Sequence, residues 1–243
     1  QAMPWGWCTT VPGNVLQLII RSEWTNDLEV CGIRNDICAC SSPFEKAAGA
    51  LKIRLSPPED SMPRVVRVEL EGRPDVDQRL MPQCGELILH PATASHLVSG
   101  REEGTESAVS EKEKHLVGDK CRITEQGAFT DWHHKGDEIG WKAYFPNAGR
   151  YRVWLQTETW VHSEKWDGSG RRVEVCVGGS RVEGVLKKDR VLPKTVYERM
   201  ESGLGVVEIP SEGEYEITVR TLEAGGNSLH CDLTALRIVK ELK

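Results

Sequence analysis

The sequence predicts an all-β protein built as two antiparallel β-sandwiches, jelly-roll-like, in tandem. Three observations lead there. Apolar and polar residues alternate with a period of two along most of the chain, the mark of strands with one wet face, and helical periodicity is nearly absent. Pro, Gly and Asn punctuate these stretches, as short antiparallel strands require. A segment of proline and charge then interrupts the pattern between two strand sets, in a chain of 243 residues that can hold two domains of ordinary size.

In order, "NVLQLII" alternates Leu16, Leu18 and Ile20, "ALKIRLS" alternates Leu51, Ile53 and Leu55, and "RVVRVELEG" alternates Val66, Val68 and Leu70 around Arg67 and Glu69. These define a first sandwich over residues 1–75. The stretch "EGRPDVDQRLMPQCG", residues 71–85, with Pro74 and Pro82, reads as a linker. A second sandwich over residues 86–243 opens with "ELILH", and the charged stretch 100–120 reads as a solvated loop. In "GDEIGWKAYFPNAGRYRVWLQTET" two strands flank a "PNAG" turn and read as a hairpin. Ile139, Trp141, Ala143 and Phe145 share one parity and continue in Tyr151, Val153 and Leu155, which places Trp141 in the core. The opposite parity carries Arg152, Trp154, Gln156, Glu158 and Trp160, a polar row with two indoles. "RRVEVCV", "GVVEIP", "YEITVR" and "LHCDLTALRIV" complete a sandwich of roughly eight strands.

Composition excludes some partners. The net charge of −6 comes from 31 basic and 37 acidic residues with the signs interspersed, and no basic block suits phosphate, so nucleic acid is not expected. No apolar run approaches the roughly 20 residues of a membrane span, and the opening "QAMPWGWCTT" has neither the charged nor the apolar region of a signal peptide. Eight cysteines are spread over a chain that can bury a proper core, so disulfides are permitted rather than implied. Cys38 and Cys40 point to one side of a strand without the second close pair of a zinc site, and are read as buried or bridged.

Catalytic motifs are missing. Neither a Gly-x-Ser-x-Gly elbow nor a phosphate loop nor a His-Glu-x-x-His helix occurs. Glycoside hydrolysis needs two carboxylates at fixed separation. Asp137 and Glu138 are adjacent, and Glu158, Glu164 and Asp167 flank Trp160 and Trp166, but nothing singles out a pair and surface acids are the favoured reading. His133 and His134 in "DWHHKGD" face opposite sides of an extended chain, and His162 lies on another loop, so no metal site is assigned. The better pointer is aromatic. Eight Trp stand against three Phe and four Tyr, and Trp132, Trp154, Trp160 and Trp166 sit beside polar residues. An indole packs against the CH-rich face of a sugar while neighbouring polar groups meet its hydroxyls; the competing reading is that each indole plugs a sandwich end.

Residues 136–159 resemble the core hairpin of the family 6 and family 35 carbohydrate-binding modules, and "GGNSLHCDLTALRIVK" resembles their last loop and strand. The resemblance brackets about 100 residues and implies a sugar site at the loop end of the sandwich. Trp132, Tyr197 and Asn227 stand at its site positions, and Trp160 and Trp166 are added as nearby loop aromatics. Those modules often carry a structural Ca²⁺ on a Glu-x-Glu strand, whereas "ELILHPATASH" offers only Glu86, so no cofactor is assigned. "PWGWCTTVPGNVLQLIIRSEW" followed by "MPRVVRVELEG" resembles the C-terminal β-sandwich of family 29 glycoside hydrolases, the α-L-fucosidases, whose catalytic barrel has no counterpart in this chain.

The expectation is a non-catalytic carbohydrate-binding protein or accessory region of a glycoside hydrolase, extracellular or periplasmic, with glycan as partner. Two alternatives stay open: a fragment or subunit of an α-L-fucosidase-type enzyme with a catalytic partner, and a self-associating building block of an extracellular assembly.

Overall fold

A computed structural model describes residues 3–47, 49–57, 61–100, 120–159, 166, 168, 170–193, 197–224 and 231–241. Its regular structure is strand apart from one short 3-10 turn, Pro91–Thr93, and among the described residues no helix is long and apolar enough to cross a membrane. The chain divides into two compact units, residues 1–87 and 88–243.

In the first unit, β1 (Gly6–Val11), β2 (Val15–Ile20), β7 (Arg64–Leu70) and β4 (Ile37–Cys40) form one antiparallel sheet in the order β1-β2-β7-β4. β3 (Leu28–Cys31), β6 (Ala50–Ile53) and β5 (Phe44–Ala47) form a second, in the order β3-β6-β5. The expected alternation is what joins them: Leu16, Leu18, Ile20, Val66, Val68 and Leu70 from the first sheet share one core with Leu28, Val30, Leu51 and Ile53 from the second.

The segment read as a linker belongs to this unit. Asp77 N–H donates to Gly32 O and Arg34 N–H to Asp75 O. The Gln83 carboxamide meets the free edge of β3, accepting from Cys31 N–H at 2.8 Å and donating to Cys31 O at 3.3 Å. Met81 and Gln83 are buried. Pro74 and Pro82 forbid regular strand, but they leave the segment free to pack as irregular chain against an edge that needs hydrogen-bond partners.

The second unit begins in β8 (Glu86–Leu89) and continues with β9 (His96–Val98), β10 (Arg122–Ile123), β11 (Phe129–Thr130), β12 (Glu138–Phe145), β13 (Gly149–Thr159), β14 (Arg172–Val177), β15 (Ser180–Val185), β16 (Arg190–Val191), β17 (Arg199–Ile209), β18 (Gly213–Glu223) and β19 (Cys231–Lys240). One sheet runs β10-β11-β19-β13-β17-β16, with β8 also pairing β19, and the other runs β15-β14-β18-β12-β9.

β12 and β13 do not pair with each other, so the expected hairpin is an arch between sheets: β12 pairs β18 and β9, while β13 pairs β17 and β19. The reason lies in their apolar faces. A hairpin would lay both faces in one sheet, whereas an arch turns them toward each other across the core, where the Phe145 and Tyr151 rings meet edge-on at 5.2 Å. Trp141 lies in that core, fully buried.

Cys38 is exposed, whereas Cys40 is half-buried and packs against the first unit's core, and all eight cysteines are free thiols, so the pair is not bridged and only Cys40 is partly buried.

Candidate functional site

The end of the second sandwich is organised by the close of β13 and the start of β19, where Glu158 lies opposite Asp232 and Thr159 opposite Cys231. Trp132 comes to this end from the segment before β12. Its indole N–H donates to Cys231 O at 2.6 Å, its ring packs against Phe129 at 5.7 Å, and the Arg171 guanidinium lies over the ring, 4.2 Å from its centroid. Trp132 is 1% exposed. The expectation that it forms a wall of a sugar pocket is therefore corrected: the ring is buried in protein, and it plugs the sandwich end.

Trp166 is corrected likewise. It is 3% exposed, its indole N–H donates to Thr157 Oγ1 at 2.8 Å, and its backbone N–H donates to Glu198 at 2.6 Å. Tyr197, half-buried, immediately precedes Glu198, which places its backbone at the same strand end. Asn227 and Trp160, with Glu164, Asp167 and His162, lie outside the described residues.

Asp137 and Glu138 are not surface acids. Asp137 is fully buried and fastens its loop, accepting from Gly100 N–H at 2.9 Å and His134 N–H at 2.7 Å. Glu138 accepts from Arg220 Nε at 2.7 Å and faces His96 at 3.4 Å. A carboxylate engaged in this way holds structure. Among the described residues no group of three or more His, Cys, Asp or Glu is placed to hold a metal ion.

The electrostatics of this end follow from dryness. Burial pushes the His133 imidazole down to about 4, helped by repulsion from His134 and Arg171. Burial pushes the Asp232 carboxyl up to about 6 against a hydrogen bond from Thr130, with Asp131 and Glu158 adding repulsion. Glu158 is raised as well, by burial. Arg171, itself buried, is depressed. Sequence reasoning missed Arg171 and Asp232, because neither carries a local motif and their importance comes from partners far along the chain.

The open surface lies on the outward face of the β19-β13-β17 sheet. Trp154, half-buried, sits between Gly203 on β17 and Arg237 on β19. Gly203 is needed there: a Cβ at that position would lie 2.9 Å from indole Cζ3. The Arg237 guanidinium lies 5.9 Å from the ring centroid and is held by Glu201 through contacts of 2.7 and 3.1 Å. Gln156 donates to the same carboxylate at 3.0 Å. Burial alone would raise Glu201, but the hydrogen bonds from Arg237 and Gln156 outweigh it and hold the carboxyl below its usual range. A hollow of about 430 Å³ opens here, lined by Arg152, Trp154, Arg237, Val239, Lys240 and Glu241. An indole ringed by guanidinium, carboxamide and carboxylate groups offers an apolar surface with donors and acceptors at its margin. The polar row seen in the sequence anticipated this face, although Trp154 was not among the residues assigned to a site.

No family model matches the chain, and no curated protein sequence matches it. Solved structures do. An α-L-fucosidase from Vibrio sp. strain EJY3 aligns over 100% of this chain with a TM-score of 0.63 at 18% identity, and the alignment covers 41% of the fucosidase. A family 35 carbohydrate-binding module from Cellvibrio japonicus Abf62 aligns over 65% of this chain and 94% of its own at 13% identity, with a TM-score of 0.38. Another from Clostridium thermocellum covers 64% and 98% at 14% identity, with a TM-score of 0.36. The chain thus spans less than half the length of the fucosidase, and that likeness establishes an all-β fold shared from end to end of the present sequence.

Proposed function

We propose that this chain is a non-catalytic carbohydrate-binding region associated with a glycoside hydrolase, acting outside the cell or in the periplasm. The observation that carries the reading is Trp154 with its polar margin on an open sheet face, seated by Gly203 and flanked by Arg152, Arg237 and Glu241, with the buried Glu201 holding Arg237 in place. A pyranose CH face fits such an indole, and its hydroxyls find both donors and acceptors within reach. Tyr197, Asn227 and Trp160 remain the residues proposed for a second contact at the loop end. Affinity is expected to be modest, because an open, wet surface desolvates little of a ligand.

The end-to-end likeness to part of a fucosidase favours a second reading, in which the chain is a portion or subunit of an α-L-fucosidase-type enzyme. A glycan array followed by calorimetry on the best ligand tests the first reading. Binding that Trp154→Ala weakens by about fivefold or more is expected, and binding by no glycan would overturn it. No turnover of an aryl α-L-fucoside is expected. Turnover abolished by replacing a carboxylate of this chain would instead make the chain itself the enzyme.

A further inference from the structure

We propose that β1 is a self-association edge, and that its partner is a second copy of this chain added antiparallel to extend the β1-β2-β7-β4 sheet across a two-fold axis. Edge strands present unpaired N–H and C=O groups, and proteins normally blunt them with charge, proline, bulges, brevity or a cover. Most edges here carry such a device. β3 is met by Gln83, β5 carries Glu45 and Lys46, and β15 carries Arg181 and Glu183. β4 has a register shift between Ile37 and Ala39, β9 is three residues long, and β10 and β16 are two residues each with an arginine.

β1 has none of these. Its six residues, GWCTTV, are uncharged and free of proline, its register with β2 is unbroken from Gly6 to Val11, and among the described residues β2 is its one strand partner, with a single further bridge from Gly6 to Met3. Its outward face is also apolar where water would be expected. Trp7 is 59% exposed and Val65 52%, and with Ile19 between them they form one cross-strand row.

The strand's own pattern favours a second copy over a foreign strand. Outward side chains on β1 are Trp7, Thr9 and Val11, an apolar-Thr-apolar sequence that reads alike in both directions. An antiparallel pair centred on Thr9 sets Trp7 opposite Val11 of the second copy, Thr9 opposite Thr9, and Val11 opposite Trp7. Both apolar groups then gain an apolar neighbour, and roughly four backbone hydrogen bonds, between Cys8 and Thr10 of each copy and Thr10 and Cys8 of the other, close the edge. The contact is isologous, so it stops at two copies instead of growing into a fibre.

Sedimentation velocity on the purified chain, from about 1 to about 100 µM, tests the proposal. A monomer–dimer equilibrium is expected. Thr9→Lys sets two ammonium groups against each other on the axis and should return the protein to monomer, with its circular dichroism unchanged because Thr9 is exposed. Thr9→Cys should form an intermolecular disulfide between the two introduced thiols on treatment with oxidised glutathione, the thiols giving up two protons and two electrons to yield two reduced glutathiones, and peptide mass maps the link. This second variant keeps the test decisive if the lysine variant folds poorly. A chain that stays monomeric over the whole range, a dimer that survives Thr9→Lys, or oxidation that links other cysteines and not position 9 would each overturn the proposal.

Discussion

Replacing Asp232 by Asn should stabilise the second unit near neutral pH and do little in acid. Asp232 is 5% exposed, and its folded carboxyl titrates near 6, against 3.8 for the ordinary group. Its raised value means that the fold prefers the protonated acid. Stability from that preference is fully present below about pH 4 and is lost as the pH rises through about 6. At pH 7 the ionised group therefore costs about 3 kcal/mol relative to a neutral one, and at pH 4 about 0.5 kcal/mol. Asn keeps the shape and an oxygen that can accept from Thr130, and it never ionises. Urea unfolding of Asp232→Asn and the parent should thus differ by about 3 kcal/mol at pH 7, or roughly 6–12 °C in Tm, and the difference should shrink by about 2 kcal/mol at pH 4. His133 titrates with the opposite sign: its stabilisation is present above about 6.5 and lost as the pH falls through about 4. Taking the difference between the two proteins removes that contribution. An Asn variant less stable than the parent at pH 7, or a difference unchanged between pH 4 and pH 7, would refute the view that desolvation governs this carboxylate.

Trp132→Ala should lose about 3–5 kcal/mol of stability by chemical denaturation, because it empties a volume bounded by Phe129, Arg171 and Cys231; a loss below about 1 kcal/mol would mark Trp132 as a surface residue after all. Trp154→Ala should leave the melting temperature nearly unchanged and weaken glycan binding by about 1–3 kcal/mol in calorimetry, by analogy with stacking of flat ligands. Gly203→Ala should weaken binding in the same titration without removing any ligand contact, because its methyl group would displace the indole. Asp137→Ala should cost about 2–4 kcal/mol in urea unfolding, since the N–H groups of Gly100 and His134 lose their acceptor in a dry loop.

Strand identity was legible in the sequence because period-two alternation is a local property. Leu16, Leu18 and Ile20, or Tyr151, Val153 and Leu155, need no knowledge of the rest of the chain to declare a buried face. Pairing was less legible. The same alternation suits a hairpin or an arch, and β12 and β13 took the arch because their partners, β18 and β17, follow roughly 40 to 80 residues later in the chain. The candidate site divides in the same way. The outward parity of Trp154 could be read locally, whereas the burial of Trp132 is decided by Arg171 and Cys231, 39 and 99 residues away in sequence. Proline and charge at 71–85 announced irregular backbone correctly, but they carry no information on whether irregular backbone packs.

The clasp of Gln83 on β3 bears on how this chain can be cut and recombined. A gene fusion that begins the second unit at residue 76 would carry off the hem of the first, leaving the Cys31 amide and carbonyl bare on an unfinished sheet. The donor fragment would be prone to clumping, while the recipient would acquire a tail with nothing to grip. A graft joined just before Glu86 leaves the clasp with the first unit and β8 with its partner β19, so the seam at which the two units can be shuffled lies a few residues beyond the prolines that advertise it.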